Sequence, residues 1–301
     1  MRLRSAVAIA LAISIVGLAA SFAQADGDAM VIVPASDPRV GGLSGLEVTP
    51  DGASFTAISD RGYLLTGQFE RTNGVLNTIS ITGIRDLPGP GGGRPAPGKA
   101  GRDSEGLSIT SDGRLYISFE GNHRLTRYRP DGAVIDEIAL PQPDGLVDNN
   151  GFEALALDHL DRPVVIQEGA ARPPTTSAIY RLEGGEWREI AYLQRNSSFL
   201  PVGADFGPDG ALYLLERKVS FTGFHSRIRR LDLTADGTAA GTIEGDIVGQ
   251  PATTYGNLEG LSVWTDAEGA LRATMVADDN FLPFMPGGMV EIGLDNASNG
   301  M

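Results

Sequence analysis

Cysteine is absent from the 301 residues, which removes disulfides, thiol nucleophiles and thiolate-held zinc from consideration. Only three histidines are present, His123, His159 and His225, and no two stand at HExxH spacing, so a helical zinc hydrolase is excluded. Basic residues are outnumbered, 24 against 38 acids, for a formal charge of −14. A surface of this sign repels nucleic acid and anionic membranes and attracts cations, so no nucleic-acid partner is expected. Beyond the first 20 residues no apolar run reaches the roughly 20 that a spanning helix needs. Sustained helical periodicity is also missing. Ser44 lies in GLSGL and not in GxSxG, so no Ser-His-Asp elbow is indicated. The stretch from Asp86 to Gly101, DLPGPGGGRPAPGKAG, lacks GxxxxGK[ST] spacing and a following helix. It reads as a loop or flap and not as a phosphate cradle.

What is present begins with a leader. Arg2 and Arg4 form a basic start, Ala6 to Ala20 an apolar run, and Ala23-Gln24-Ala25 a small-residue cleavage signal. This is the pattern of a secretory signal peptide over residues 1–25, cut after Ala25, for a periplasmic or secreted protein with no membrane span after cleavage. Residues 26–295 are expected to form one domain, with 296–301 as a short tail. Hydrophobic residues make up 42% of the chain, enough for a real core. With 40 glycines and 18 prolines, glycine and proline usage exceeds the average of about 12%, which favours many short strands joined by turns.

One pattern recurs five times. In DSEGLSITSDGRLYISFEGN, Asp103 to Asn122, a short strand from Gly106 to Thr110 follows Glu105. An Asp112-Gly113 turn leads to a second strand, Leu115 to Phe119, which ends on Glu120. Related units start near Gly42, Asn150, Val202 and Asn257, each followed by further alternating strands. Aligned on their turns, Ser44, Glu105, Glu153, Val202 and Glu259 correspond, at spacings of 61, 48, 49 and 57 residues. Four strands per period of this length predict an all-β fold, a β-propeller of five four-stranded blades, with six as the alternative count. A single such sheet cannot bury both faces, whereas stacked radially each sheet covers its neighbours. The fifth unit has only one later strand, Gly288 to Ile292, and the orphan run Met30 to Val33 is expected to fill the vacancy.

The first strand of each unit would line the axis, bringing Glu105, Glu153 and Glu259 to one mouth. The returning second strands would bring Asp60, Glu120, Glu168, Glu216 and Asp278 to the same end, with Asn122, Asn150, Asn257 and Asn280 between them. Carboxylates this crowded raise one another's pKa or recruit a cation. All-oxygen donors suit a divalent cation, calcium first, then magnesium or manganese. The expected metal ligands are Glu105, Glu153, Glu259, Asp60, Glu216 and Asp278. Glu105 and Glu153 are also candidates for catalysis, as ligand or general base. Arg61 and Arg217, each directly after a strand-end acid, are expected to hold a small anionic or ester substrate. Lys218 and His225 are further candidates on the fourth blade. A non-catalytic propeller that binds a ligand or protein around a structural calcium is the alternative.

The set GGLSGL (Gly41–Leu46), DSEGLS (Asp103–Ser108), GFEALAL (Gly151–Leu157), LER (Leu215–Arg217) and NLEGLSV (Asn257–Val263) resembles the bacterial phytase-like β-propeller family, "esterase-like activity of phytase". The resemblance spans about Val40 to Leu294. It implies an exported propeller with hydrolase activity on an ester or phosphoester. The glutamates also resemble those of gluconolactonase-like propellers, which implies a lactonase as a further alternative. Ser44 and Val202 depart from the glutamate of the other three units, so the site is expected to be one-sided.

Overall fold

The computed structural model describes residues 29–95, 101–120, 123–142, 151–168, 176–194, 198–221, 223–233, 238–242, 255–280, 285 and 287–294. The leader and the tail expected from the sequence lie outside these residues, as do Asn122 and Asn150. No helix among the described residues is long and apolar enough to cross a membrane.

Among the described residues twenty strands fall into five blades, as the repeats predict, and no sixth blade is seen. Blade one contains β2 (Leu43–Val48), β3 (Ser54–Ser59), β4 (Tyr63–Thr72) and β5 (Val75–Asp86). Blade two contains β6 (Ser104–Ile109), β7 (Leu115–Phe119), β8 (Arg124–Tyr128) and β9 (Val134–Ala139). Blade three contains β10 (Ala154–Leu157), β11 (Pro163–Ile166), β12 (Thr176–Glu183) and β13 (Glu186–Gln194). Blade four contains β14 (Leu200–Phe206), β15 (Leu212–Ser220), β16 (Gly223–Leu233) and β17 (Thr238–Thr242). Blade five contains β18 (Asn257–Thr265), β19 (Leu271–Asp278) and β20 (Gly288–Gly293), and is completed by β1 (Ala29–Ile32). β1 lies antiparallel to β20, Met30 opposite Val290 and Ile32 opposite Gly288, so the start of the chain closes its last blade.

Short turns set this alternation. Gly113 sits at φ 83°, in the left-handed region that favours glycine, and its N–H donates to the Thr110 carbonyl at 2.9 Å. Asp112 accepts from the Thr110 hydroxyl at 2.5 Å. One departure from the simplest propeller is present. β13 and β17 pair in parallel, Tyr192 opposite Thr238, and join blades three and four into one eight-stranded sheet. The last strand of blade four, expected at roughly Gly241 to Val248, lies mostly outside the described residues; β17 is seen over Thr238–Thr242.

The core lies between blades. Leu43, Leu46, Phe55 and Leu65 of blade one pack with Trp264, Val276 and Met289 of blade five. Leu215 and Ile228 of blade four pack with Leu261, Met275 and Val290 of blade five. The seam between the first and last blades carries a buried ion network. Arg71 of β4 reaches Glu291 of β20 at 3.0 and 2.6 Å, and Arg272 reaches it at 3.3 Å. The Arg71 guanidinium also lies 4.7 Å from the Trp264 ring centre.

At the axis the inner strands β2, β6, β10, β14 and β18 crowd together. A Cβ on Gly106 would meet the Glu153 carbonyl at 2.7 Å, and one on Gly203 the Glu259 carbonyl at 2.8 Å. The repeated glycine is therefore a close-approach residue. At the far end of these strands, side chains cap the backbone of the next blade. Glu47 accepts from Ile109 N at 3.3 Å, Asp205 from Val263 N at 2.7 Å, and Ser262 from Val48 N at 3.0 Å.

Candidate functional site

Four inner strands break register at one level: between Leu43 and Gly45, Ser104 and Leu107, Pro201 and Gly203, and Leu258 and Leu261. Ser44, Glu105, Val202 and Glu259 sit in these breaks, and Glu153 directly precedes β10. The aligned position of the repeat is thus a β-bulge, a device that re-aims a side chain. Glu105 consequently lies inside β6 and not before it, as the sequence had suggested. Its extended stretch begins two residues earlier because Ser104 pairs with Phe119.

The second strands return to the same end. Asp60, Glu120 and Glu168 donate their N–H to the carbonyls of Gly42, Asp103 and Gly151, at 2.8, 2.9 and 3.1 Å. The equivalent pairs in the last two blades are Arg217 with Leu200 and Asp278 with Asn257. Blade four therefore presents an arginine where the others present an acid. Glu216, one residue earlier, points to the opposite face of β15. There it is fully buried and paired with Arg227 at 2.5 Å and Arg229 at 3.5 Å. It belongs to an ion network within blade four, between β15 and β16. The available signal was the turn: Glu120 stands seven residues after Gly113, and Arg217 seven after Gly210.

Arg217 lies among the acids. Its Nη1 donates to Glu259 at 2.6 Å and to Asn257 at 2.9 Å. Its Nη2 lies 3.8 Å from both Glu153 and Glu168. Asn257 donates to Glu259 at 2.8 Å, and Asp278 accepts from Asn280 N at 2.7 Å. Burial alone would lower the pKa of Arg217, but Glu259, Glu153 and Glu168 outweigh it and the guanidinium is held charged. Burial raises Glu259 to about 7 even though Arg217 pulls it down. Burial, then Glu168, pushes Glu153 well above the carboxylate range, with Arg217 acting against them. Asp278 is raised mainly by burial.

The blade-two side differs. Asp103, Glu105 and Glu120 each offer an oxygen, and the three oxygens lie within 4.8 Å of one another. Burial, then Glu153, Glu259, Asp103 and Glu120, drives Glu105 well above its ordinary pKa. Calcium holds oxygens at about 2.3–2.6 Å, so two ligands of one ion stand at most about 5 Å apart. The trio fits a hard divalent cation by donor type and by span. Asp103 was not among the ligands read from the sequence; its counterparts Gly42, Gly151 and Leu200 carry no carboxylate. His123 was also missed as a neighbour. Its Nδ1 and the Glu120 Cγ each lie 3.4 Å from the point where a Cβ on Gly151 would stand.

The other residues named from the sequence are Asp60, Arg61, Lys218 and His225. Asp60 closes the end of β3, and Arg61 is exposed, its N–H donating to the Ser59 hydroxyl at 3.3 Å. Lys218 and His225 face each other across β15 and β16.

Known proteins can now be set beside this geometry. The phytase-like family, described as "esterase-like activity of phytase", matches residues 38–281. The chain belongs to this family. The phytase-like match covers blades one to four and the first two strands of blade five, so it takes in both the Arg217 cluster and the Asp103 trio. No curated protein matches the chain. Among solved structures it is similar to a virginiamycin B lyase from Staphylococcus aureus, 15% identical over 88% of this chain and 74% of the other, with a TM-score of 0.44. It is similar to an aldose sugar dehydrogenase from Streptomyces coelicolor, 12% identical over 88% and 97%, with a TM-score of 0.45. It is also similar to a gluconolactonase from Xanthomonas campestris, 14% identical over 83% and 72%, with a TM-score of 0.42. None of these likenesses carries chemistry over to this phytase-like chain.

Proposed function

We propose that this phytase-like propeller is an exported hydrolase that binds one divalent cation, calcium, between Asp103, Glu105 and Glu120, and cleaves an ester or phosphoester at the axial mouth. The observation that carries this reading is the trio itself, three carboxylate oxygens within 4.8 Å of one another. Burial, then the surrounding acids, drives Glu105 toward its protonated form. A cation there would relieve that repulsion.

When bound, the ion would supply a Lewis acid for the carbonyl or phosphoryl oxygen and lower the pKa of a bound water. The chain's own residues do the rest. Glu153 lies between the trio and Arg217, with a raised pKa suited to accepting and returning a proton near neutral pH. Arg61, exposed on the rim, would hold the anionic part of the substrate. Glycine-lined crowding on the axis keeps the substrate at the mouth.

The test is calcium titration by calorimetry, together with hydrolysis of p-nitrophenyl acetate and p-nitrophenyl phosphate with and without chelator. One site per chain and chelator-sensitive turnover are expected. Glu105→Gln should weaken binding by about two orders of magnitude, within the range for loss of a charged ligand contact. Binding and turnover that both survive Glu105→Gln would refute the assignment. Binding without turnover on either substrate would leave the non-catalytic reading, with calcium as a structural plug.

A further inference from the structure

The last blade and the first leave a cavity where they meet. Val33, Val40 and Leu43, all buried, give it an apolar floor shared with the core between these blades. Ile32 and Ala35, both exposed, stand at its edge. Its volume is about 280 Å³. An apolar cavity of about 150 Å³ accepts benzene, so this one has room for a phenyl ring on a short alkyl arm. Among the described residues that line it none is basic, and the one acid, Asp279, accepts from the Gly42 N–H at 3.0 Å.

The cavity lies at the level of the acid tier. Ala277, which lines it, pairs with Gly288, and Gly288 pairs with Ile32. The next residue along β19 is Asp278 of the tier, raised by burial and, after it, by the charge of Asp279. On the blade-one side Gly41 lines the cavity, and the carbonyl of Gly42 accepts from the Asp60 N–H at 2.8 Å. Blade one leads from there to the cation trio. The Ser59 carbonyl accepts from the Ser104 hydroxyl at 2.6 Å, and the Ser104 carbonyl accepts from the Ser44 hydroxyl at 2.5 Å. Ser104 directly follows Asp103. Trio and cavity thus flank the same blade. Sheets stack about 10 Å apart, so one small molecule can reach both.

We propose that this cavity is the subsite for an apolar substituent of the substrate, and that it directs the enzyme to carboxylic esters carrying an arylalkyl group. The proposal rests on the hydrolase reading above. In that reaction water adds to the acyl carbon and the ester C–O bond breaks. The hydroxyl stays with the acid and the proton leaves with the alcohol. A substituent seated against Val33, Val40 and Leu43 is taken out of water, which is the force that holds it there. Phosphate groups are turned away, because the described lining offers them no cation while Asp279 and the acid tier repel them. The subsite therefore selects an ester over a polyphosphorylated substrate.

Acid release from ethyl 3-phenylpropanoate, 2-phenylethyl acetate and ethyl acetate by the full chain in calcium tests this. All three are alkyl esters of similar reactivity, so their ratios report the subsite. At least one phenylalkyl ester should exceed ethyl acetate in kcat/KM by roughly 100-fold, since a single methylene in an apolar pocket is worth about 10–200-fold. Ala35→Trp fills the cavity and Ile32→Glu sets a charge at its edge, and each should cut that ratio by about tenfold or more. Saturation-transfer NMR with 2-phenylethanol reads the cavity without turnover. A signal is expected in calcium and in chelator alike, weakened in both variants. Equal kcat/KM for the three esters, a preference untouched by both variants, or faster phosphate release from inositol hexakisphosphate than acid release from any ester would each overturn the proposal. No turnover of any ester, with an NMR signal that the variants lose, would refute the hydrolase reading and keep the cavity as an arylalkyl site. Turnover without preference and without an NMR signal would refute the subsite and keep the hydrolase.

Discussion

Replacing Arg217 by methionine removes the guanidinium that Glu259 meets at 2.6 Å and that Glu153 and Glu168 meet at 3.8 Å. The stem is kept and the charge is lost. Breaking a buried pair from one side costs about 3–5 kcal/mol, because the surviving charge is left without compensation. Here the survivors can protonate, and that sets the pH dependence. Burial raises Glu259 to about 7 even with Arg217 beside it, and Glu153 is raised well above the carboxylate range. A carboxylate whose folded pKa is raised loses stability as pH climbs from its unfolded value through its folded one. Without Arg217 those folded values rise again, so the deficit is small at pH 5 and largest at pH 8. At about 2–4 °C per kcal/mol for a domain of this class, the melting temperature at pH 8 should fall on the order of 10 °C. Calcium should recover part of it, since the vacated acids now form a second oxygen site. Ligand at 100 times its dissociation constant contributes about 2.7 kcal/mol. Scanning calorimetry at pH 5 and pH 8, with and without calcium, reads the effect, and titration calorimetry counts the sites. A variant that melts within 2 °C of the wild type at pH 8, with unchanged calcium stoichiometry, would refute the counter-ion role.

Other consequences can be measured as directly. Burial raises Asp205 to about 7, and burial with Asp205 raises Glu47 well above its usual range. By the same sign, wild-type stability should decline between pH 5 and pH 8, and Asp205→Asn should flatten that decline in urea melts across the range. Glu291→Gln weakens the clasp between the first and last blades and strands two arginines, for a loss of about 3 kcal/mol in the urea midpoint analysis. Gly106→Ala forces a methyl to within 2.7 Å of the Glu153 carbonyl and the Leu155 Cβ. That overpacking should cost about 1–3 kcal/mol and lower calcium affinity by displacing the Glu105 bulge.

The ring was legible because its punctuation is chemical. Asp-Gly turns mark where strands reverse. Even the closing role of Met30 to Val33 followed from counting strands in the fifth unit. The alignment of Ser44, Glu105, Glu153, Val202 and Glu259 held because turn spacing fixes the level of a residue along a strand. Side-chain direction was less accessible. Glu216 and Arg217 are neighbours in sequence, yet one is sealed against Arg227 and the other enters the carboxylate cluster. A one-residue slip exchanges the two faces of a strand, and composition gives no help in choosing between them. Asp103 escaped notice because three of its counterparts are apolar or glycine.

Closure of blade five by β1 shapes how the chain comes to be folded. The strand made first is the one that finds its partner last. The pairing of Met30 with Val290 closes a loop of roughly 250 residues, at an entropic cost of about 5 kcal/mol on logarithmic scaling. Until β20 exists, the ring is an open stack with an unpaired edge at each end, and such edges invite association with other chains. Loss of the last few strands would therefore disable the first as well. A rearranged chain in which β1 directly follows β20 would turn this longest-range pairing into a hairpin and should refold faster, as the dependence of folding rate on contact order requires.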